Sequence, residues 1–262
     1  MIAYRCLISE CKAKPVDIVF VVDNSGSVNN INYGKMMTFV EDLVLSLDVG
    51  PAATQIGCVT FANNAMLRFF LNKYSDSLDI VGELMAMRRQ SGGTNTAQAL
   101  QITREQLLQQ ANGARTGTIQ VVIVITDGKS RDTTATLEQA ANLREQGVVV
   151  FSIGVGTNLD MDELKGIAGA KRADTMYTVE TFDSLVSLTE RIIEATCNGE
   201  VLTFLHHDKR HYSTFQYGVT VPNPWSSLRD NYCNHRFRIL AKLELFSLHS
   251  HSTATSTTYH TR

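Results

Sequence analysis

Continuous apolar runs alternate with helical periodicities along the first two hundred residues of the chain. The apolar runs are Ile18–Val22, Val121–Ile125 and Val148–Ile153. Because they are short, rich in β-branched residues and uninterrupted by polar positions, they predict strands that are buried on both faces, as in parallel sheets. The segments Gln55–Ala62 and Met66–Leu71 are joined by the tight turn Asn63-Asn64 and predict an antiparallel hairpin.

Apolar side chains recur at helical spacing between these strands. The predicted helices are Asn32–Leu47, Ala97–Ala111, Thr134–Gln146 and Phe182–Ala195. In the second helix the apolar stripe consists of Leu100, Thr103, Leu107 and Ala111, and Gly147 marks the end of the third. The alternation predicts an α/β fold, with an open and mostly parallel central sheet, one antiparallel edge strand and helices on both faces.

The composition of the chain changes near Cys197. All seven His and the only Trp lie after residue 200, and the net charge is −5 over residues 1–198 but +3 from Gly199 onward. We therefore expect an N-terminal leader segment over 1–14, a folded domain over 15–197, and an irregular or disordered tail over 198–262. The overall charge of −2 provides no chain-wide basic surface for nucleic acid, and no apolar stretch is long enough to insert into a membrane.

Short oxygen-bearing side chains collect in three loops beside predicted strand ends or helix starts. Asp23, Ser25 and Ser27 follow the first strand, Thr94 precedes the second helix, and Asp127 follows the strand Val121–Ile125. Taken singly, such residues more often cap helices or form turns. Together, at an edge where open α/β sheets bind ligands, they form a hard, oxygen-only set that suits Mg²⁺, Mn²⁺ or Ca²⁺ and not zinc or copper.

The same segments resemble the von Willebrand factor type A (VWA) domain family, over roughly residues 15–197. The first strand and the D-x-S-x-S motif correspond to DIVFVVDNSGSV at 17–28. The Thr and Asp loops correspond to SGGTNTAQAL at 91–100 and VITDG at 124–128. Two further strand signatures correspond to IGCVTF at 56–61 and VFSIGVG at 150–156. Five motifs in the family's order make this resemblance specific.

The resemblance implies a metal-ion-dependent adhesion site, in which an acidic side chain of a protein ligand completes the coordination of the cation. Its five positions are Asp23, Ser25, Ser27, Thr94 and Asp127. We expect ligand specificity to come from a rim of neighbouring residues, namely Asn24, Asn29, Asn30, Asn95, Lys129 and Arg131. Arg88-Arg89, by contrast, is interpreted as a solvated helix end.

Within the family, the chain is most similar to matrilins and collagen-associated A domains. That similarity implies a secreted protein of the extracellular matrix, whose partner is a matrix protein such as a collagen. It also implies a disulfide between Cys11 and Cys197, which flank the domain; the roles of Cys6 and Cys233 stay open. The first ten residues show no signal peptide, so the chain either stays inside the cell or lacks its leader.

Two alternatives to an extracellular adhesion module remain open at this point. One is an intracellular VWA scaffold subunit of a metal-dependent complex; a Cys11–Cys197 disulfide would argue against it because disulfides persist in oxidising compartments. The other is a hydrolase that activates water at the metal. We expect no enzyme activity, because residues 1–198 contain no His and the site has no neighbouring general base.

Overall fold

A computed structural model of the protein describes residues 15–169 and 175–197. The predicted leader 1–14 and tail 198–262 lie outside the described residues, as does Cys11 of the expected disulfide, and nothing is described of the Cys197 side chain. Six strands form one sheet in the order β3-β2-β1-β4-β5-β6. The strands are β1 Val16–Asp23, β2 Thr54–Phe61, β3 Ala65–Phe69, β4 Ile119–Thr126, β5 Val149–Val155 and β6 Met176–Val179.

The apolar runs form the centre of this sheet, as predicted. β1 pairs in parallel with β2 on one side and with β4 on the other, and all eight of its residues are buried. β2 and β3 form the predicted antiparallel hairpin around Asn63-Asn64, and β3 is the one antiparallel strand of the described sheet. Both faces of such a central parallel strand are buried, so neither face turns to solvent, and its sequence does not alternate between apolar and polar residues.

Helices cover both faces of the sheet. They are α1 Asn30–Ser46, α2 Ser77–Ala86, α3 Thr96–Ile102, α4 Thr133–Glu145, α5 Met161–Ala168 and α6 Thr189–Cys197. On one face, Ile18 and Phe20 of β1 line an apolar gap together with Leu43 of α1 and Ile192 of α6. The alternate β1 residues, Val19 and Val21, belong to the cluster on the other face with residues of α3, α4 and α5. No helix among the described residues is long and apolar enough to cross a membrane.

The second predicted helix, Ala97–Ala111, is wrong in its later part. α3 ends at Ile102 and continues as a π-helical turn, Thr103–Leu107, followed by a 3₁₀ turn at Gln110–Asn112. The buried Thr103 hydroxyl donates to the Ala99 carbonyl at 2.9 Å, a side-chain bond that competes with regular helical bonding. Leu107 is still fully buried, but Ala111 is exposed and does not belong to the stripe.

Three elements of the fold were not predicted from the sequence, namely α2, α5 and β6. Each is short, and α2 buries only Ile80 and Leu84 while it exposes Leu78 and Met85, so its apolar periodicity is blurred. The predicted helix Phe182–Ala195 is also partly wrong, because its first half is a 3₁₀ helix and α6 begins only at Thr189. By contrast, Gly147 follows the last residues of α4 with φ of 86°, as predicted for a glycine that ends a helix.

A buried ion pair lies at the edge of the sheet where the parallel strands begin. Asp17 is fully buried, and its carboxylate accepts from the Arg115 side chain at 2.6 and 2.8 Å and from the Arg115 backbone N–H at 2.8 Å. The same guanidinium donates to the carbonyl oxygens of Val16, Pro51 and Ala53. Arg115 thereby joins the start of β1 to the turn before β2.

The chain enters and leaves the described domain at this same edge. Ile18, near the start of β1, and Thr196, near the end of α6, line the same apolar gap as Leu47, which follows α1. The carboxyl ends of the parallel strands, which carry the candidate site, lie at the opposite edge.

Candidate metal centre

The candidate site lies where the strand order of the sheet changes direction. From β1 the chain runs to β2 on one side, whereas β4 pairs with β1 on the other, so the loops that follow β1 and β4 diverge. Open α/β sheets bind ligands in such a crevice, outside the carboxyl ends of the strands. β1 ends at Asp23 and β4 ends at Thr126, one residue before Asp127. The two loops thus begin side by side.

Asp23 is held in place by two donors. One carboxylate oxygen accepts from the Ser25 backbone N–H at 2.8 Å, and the other accepts from the Thr126 hydroxyl at 2.7 Å. Asp23 itself is fully buried. Its carboxylate is therefore fixed by the loop that follows it and by the end of the neighbouring strand.

The two serines connect this loop to Asp127. The Ser25 and Ser27 hydroxyl oxygens are 2.9 Å apart, and the Ser27 hydroxyl donates to Asp127 Oδ1 at 2.7 Å. The structure therefore brings Ser25, Ser27 and Asp127 into one hydrogen-bonded row, next to Asp23.

Thr94 reaches the same edge through backbone bonds. Its carbonyl accepts from the Arg131 N–H at 2.9 Å, which ties its loop to the loop of Asp127. Two residues earlier, the Gly92 carbonyl accepts from the Gly26 N–H at 2.8 Å, which ties it to the loop of Ser25 and Ser27. All three predicted loops are thus joined pairwise by hydrogen bonds.

Glycine is required in the Thr94 loop because Asn63 lies against it. Gly92 has φ of 127°, and a Cβ there would lie 2.5 Å from the Asn63 side-chain nitrogen. The same Asn63 side chain accepts from the Gly93 N–H at 2.6 Å. The turn of the predicted hairpin therefore supports the loop that carries Thr94, a role that the sequence analysis did not assign to it.

Burial makes the two carboxylates of the site costly to ionise. Desolvation raises the pKa of Asp23, against the hydrogen bonds from Ser25 and Thr126, and the nearby Asp127 charge raises it further. Desolvation also raises the pKa of Asp127, against the hydrogen bond from Ser27. In the described part of the chain, neither carboxylate forms an ion pair with a basic side chain.

This donor set fits a hard divalent cation. Two carboxylates that lack a basic partner, together with neighbouring hydroxyl oxygens, supply both the charge and the ligand type that such ions prefer. Among the residues that the structure describes, no group of three or more His, Cys, Asp or Glu side chains is arranged so that it could hold a metal ion by itself. The candidate site therefore has the composition of an oxygen-only site with two charges.

Two of the six expected rim residues are not at the surface, which corrects that part of the prediction. Asn24 is 1% exposed; its side chain accepts from the Gln90 N–H at 2.6 Å and donates to the Arg88 carbonyl. Asn95 is 8% exposed and caps α3. The other four are exposed, namely Asn29, Asn30, Lys129 and Arg131. Of these, Asn29 caps α1 and Lys129 forms a 2.7 Å ion pair with Asp160.

The interpretation of Arg88-Arg89 as a solvated helix end is also wrong for Arg89. α2 ends at Ala86, and the Arg89 guanidinium donates to backbone carbonyls of the loop that follows β1. Arg88 is exposed, and its backbone carbonyl accepts from the Asn24 side chain; its own side chain has no partner among the described residues. No sequence pattern indicates a side chain that bonds to distant carbonyls.

Comparisons with known proteins agree with this fold. The family model of the von Willebrand factor type A domain matches residues 17–191. Mouse matrilin-2 is 31% identical over 207 residues, which are 78% of this chain and 21% of matrilin-2. The mouse collagen alpha-5(VI) chain is 37% identical over 196 residues, which are 74% of this chain and 7% of that protein.

A solved structure of proximal thread matrix protein 1 from the mussel byssus matches with a TM-score of 0.67 and 30% identity, over 71% of this chain and 49% of that one. Another structure of that protein, described as having a zinc-occupied metal-ion-dependent adhesion site, matches with a TM-score of 0.65 and 33% identity, over 72% and 47%. The chain spans less than half the length of each of these proteins. By fold, motif order and sequence, the chain belongs to the von Willebrand factor type A domain family.

Proposed function

We propose that this chain is an adhesion module of the extracellular matrix that binds a protein ligand through a divalent cation. The residues that would hold the cation are Asp23, Ser25, Ser27, Thr94 and Asp127. The observation that carries the proposal is the pairwise bonding of three loops around two buried or half-buried carboxylates that have no basic partner among the described residues. Such an arrangement is costly for a protein unless a cation neutralises it.

The hydrogen bonds in the site leave oxygen lone pairs for a cation. The Ser27 hydroxyl directs its hydrogen to Asp127, so in the 2.9 Å contact between the two serines Ser25 donates and Ser27 accepts. This leaves one lone pair on Ser27 and both lone pairs on Ser25 for a cation. Thr126 and the Ser25 N–H hold the Asp23 carboxylate in place, whether or not Asp23 binds an ion directly. Once bound, the cation would offer a coordination position to a carboxylate from outside. The protein would thus recognise an acidic side chain of its ligand without any catalytic group.

Zinc must be considered as well as the hard cations that the oxygen ligands favour. Carboxylate and hydroxyl oxygens favour Mg²⁺, Mn²⁺ or Ca²⁺. A similar mussel protein nevertheless has zinc in its metal-ion-dependent adhesion site. We propose Mg²⁺ or Mn²⁺ as the ion, and competition by Zn²⁺ in the calorimetry would show whether this site also accepts zinc.

A collagenous or other acidic matrix protein is the proposed partner. Matrilin-2 and the collagen alpha-5(VI) chain, to which this chain is similar, support an extracellular location over an intracellular scaffold. The exposed rim residues Asn29, Asn30, Lys129 and Arg131 would supply contacts around the acidic side chain. Two of them are basic, which suits an acidic partner surface.

Adhesion can be tested with an immobilised panel of purified collagens, including collagen VI. We expect binding in Mg²⁺, loss of binding in EDTA, and recovery when Mg²⁺ is restored in excess. Asp127→Ala should abolish binding. Asp48→Ala is the matched control, because Asp48 is an exposed aspartate between α1 and β2, at the opposite edge of the sheet. Collagen binding that persists in EDTA and in Asp127→Ala would contradict the proposal.

Enzyme activity is the alternative that the same preparation can exclude. A metal-dependent hydrolase needs a group that accepts a proton from the attacking water, and residues 1–198 contain no His. We propose that the domain has no hydrolase activity. Turnover of a phosphate ester that depends on Mg²⁺ and disappears in Asp127→Ala would contradict this.

A further inference from the structure

The segment between α2 and α3 is bonded to the loop that carries Ser25 and Ser27. We call residues 24–28 the serine loop and residues 88–92 the clamp segment. Asn24 accepts from the Gln90 N–H at 2.6 Å and donates to the Arg88 carbonyl at 3.3 Å. The Gly26 N–H donates to the Gly92 carbonyl at 2.8 Å. The two segments are therefore in contact along most of their lengths.

Arg89 makes the most extensive of these contacts. Its guanidinium donates to the Gly26 carbonyl at 3.1 Å, to the Ser25 carbonyl at 3.3 Å, and to the Val28 carbonyl. Three carbonyls of one short loop thus converge on a single side chain. Ser25 supplies one of these carbonyls, and Ser27 lies between the residues that supply the other two, so the carbonyls belong to the stretch that carries both hydroxyls of the proposed site.

Three carbonyl oxygens that converge need a donor with several N–H groups, such as a guanidinium. Carbonyl oxygens that point to one place repel one another unless a donor neutralises them. A guanidinium has five N–H groups in a fixed plane and can serve several acceptors at once, whereas an ammonium group acts as a compact point charge. Arg89 is half-buried here, so water is a poorer substitute than it would be at a fully open surface.

We propose that Arg89 is a positioning residue for the metal site. It holds the backbone of the serine loop so that the Ser25 and Ser27 hydroxyls are in place before a cation arrives. This inference rests on the proposed function, because it concerns affinity for the cation. Neither the clamp segment nor Arg89 contributes a ligand.

If Arg89 acted only through its positive charge, its removal would change the metal affinity in the opposite direction from a loss of positioning. A positive charge near a cation site disfavours a second cation, so removal of the charge would tighten metal binding. If positioning dominates, removal loosens the serine loop and weakens binding. The sign of the change in affinity therefore separates the two effects.

The experiment compares three variants with the wild type: Arg89→Met, Arg89→Lys and Arg88→Met. Arg88 is the matched control, because it is the adjacent arginine and its exposed side chain has no described partner. Calorimetry with Mg²⁺ and Mn²⁺ gives the affinities. Backbone amide exchange in EDTA shows whether the serine loop opens more often without any metal. Circular dichroism confirms that each variant is folded at the temperature used.

We expect Arg89→Met to weaken Mg²⁺ binding by about tenfold, as loss of an outer-shell partner usually does. Arg89→Lys should recover part of the loss, Arg88→Met should stay within about twofold of the wild type, and the Gly26 amide should exchange faster in Arg89→Met. If Arg89→Met binds Mg²⁺ as tightly as the wild type or more tightly, the positioning role of Arg89 is overturned, whereas the proposed function is not affected. Absence of metal binding by the wild type would overturn the proposed function and this inference together. If Arg89→Met does not fold, equal affinities of Arg89→Lys and wild type overturn the inference.

Discussion

The Ser27 hydroxyl donates to the Asp127 carboxylate at 2.7 Å, although the two residues lie 100 positions apart in the chain. This bond joins the loop after β1 to the loop after β4. Asp127 is half-buried, lies one residue beyond the end of β4, and would supply one of the two carboxylates of the proposed site. Changes at Asp127 should therefore affect metal binding strongly and folding only weakly.

Asp127→Ala should lower Mg²⁺ affinity by more than the roughly 10–100-fold that loss of an outer-shell partner causes, because one of two carboxylates is removed. The metal-free variant should be at least as stable as the wild type, since it no longer carries a desolvated charge. Calorimetry and thermal unfolding in EDTA measure both quantities. Asp48→Ala serves as the control, and equal affinities in Asp127→Ala and wild type would refute the site.

Mg²⁺ should stabilise the folded domain. A ligand at 100 times its Kd contributes about 2.7 kcal/mol to the free energy of unfolding, provided that it binds only the folded state. For a domain of this size that corresponds to a rise in Tm of about 5–10 °C. Differential scanning fluorimetry with and without EDTA tests this. An identical shift in Asp127→Ala would show that Mg²⁺ acts at another place.

Acidification should release the metal earlier than it would from ordinary carboxyl groups. The pKa of both Asp23 and Asp127 is raised above 3.8, mainly by burial. Protons therefore compete with the cation at higher pH, and the Mg²⁺ affinity should begin to fall at a higher pH than it would for carboxyl groups with an ordinary pKa. In the metal-free protein the sign is reversed, because a carboxyl whose pKa is higher when folded stabilises the fold as pH falls. Calorimetry at constant ionic strength measures the trend, and a pH-independent affinity would contradict it.

Arg115→Ala should destabilise the fold without changing metal affinity. The substitution leaves the fully buried Asp17 carboxylate without its cation, a loss that costs about 3–5 kcal/mol for a buried pair. Lys35→Ala is the matched control, since Lys35 forms a 2.7 Å pair with Asp183 at the surface, where such pairs contribute about 0–1 kcal/mol. Urea unfolding gives both values. Similar losses in the two variants would show that burial does not set the strength of the Arg115 pair.

A Cys11–Cys197 disulfide should be found in secreted material. The start of β1 and the end of α6 share one apolar gap, so the chain enters and leaves the domain close together. A crosslink around about 185 residues contributes nominally 5 kcal/mol in the chain-entropy model. Cys58 is fully buried and should stay unmodified in native protein. A non-reducing peptide map that shows Cys11 as a free thiol would refute the pairing.

The sequence was sufficient to predict the centre of the sheet, because strands buried on both faces leave continuous apolar runs such as Val121–Ile125. It also placed Asp23 and Asp127 at strand ends, and the structure bonds their loops to each other. Short elements such as α5 were missed because eight residues give little periodicity. The regular part of α3 ends just before Thr103, whose hydroxyl donates to the Ala99 carbonyl, and the apolar periodicity of the sequence does not indicate this bond.

The supporting residues of the site were the least predictable part. Arg89 and Asn63 act through bonds to backbone groups that lie about 30 to 60 positions away, and such contacts leave no spacing rule in a sequence. The burial of Asn24 and Asn95 could not be predicted either, because the sequence pattern around a loop asparagine is the same whether its side chain is buried or exposed. Their burial follows from the folded arrangement of the loops.

The start of β1 and the end of α6 lie at the same edge of the domain, and this has a mechanical consequence. Tension applied between Val16 and Cys197 would load β1 against α6 at one pole of the domain. The loops of the proposed metal site lie at the other end of an eight-residue strand, about 25 Å away. They are outside the direct path of the load, so tension on the domain would leave the geometry of the proposed site unchanged.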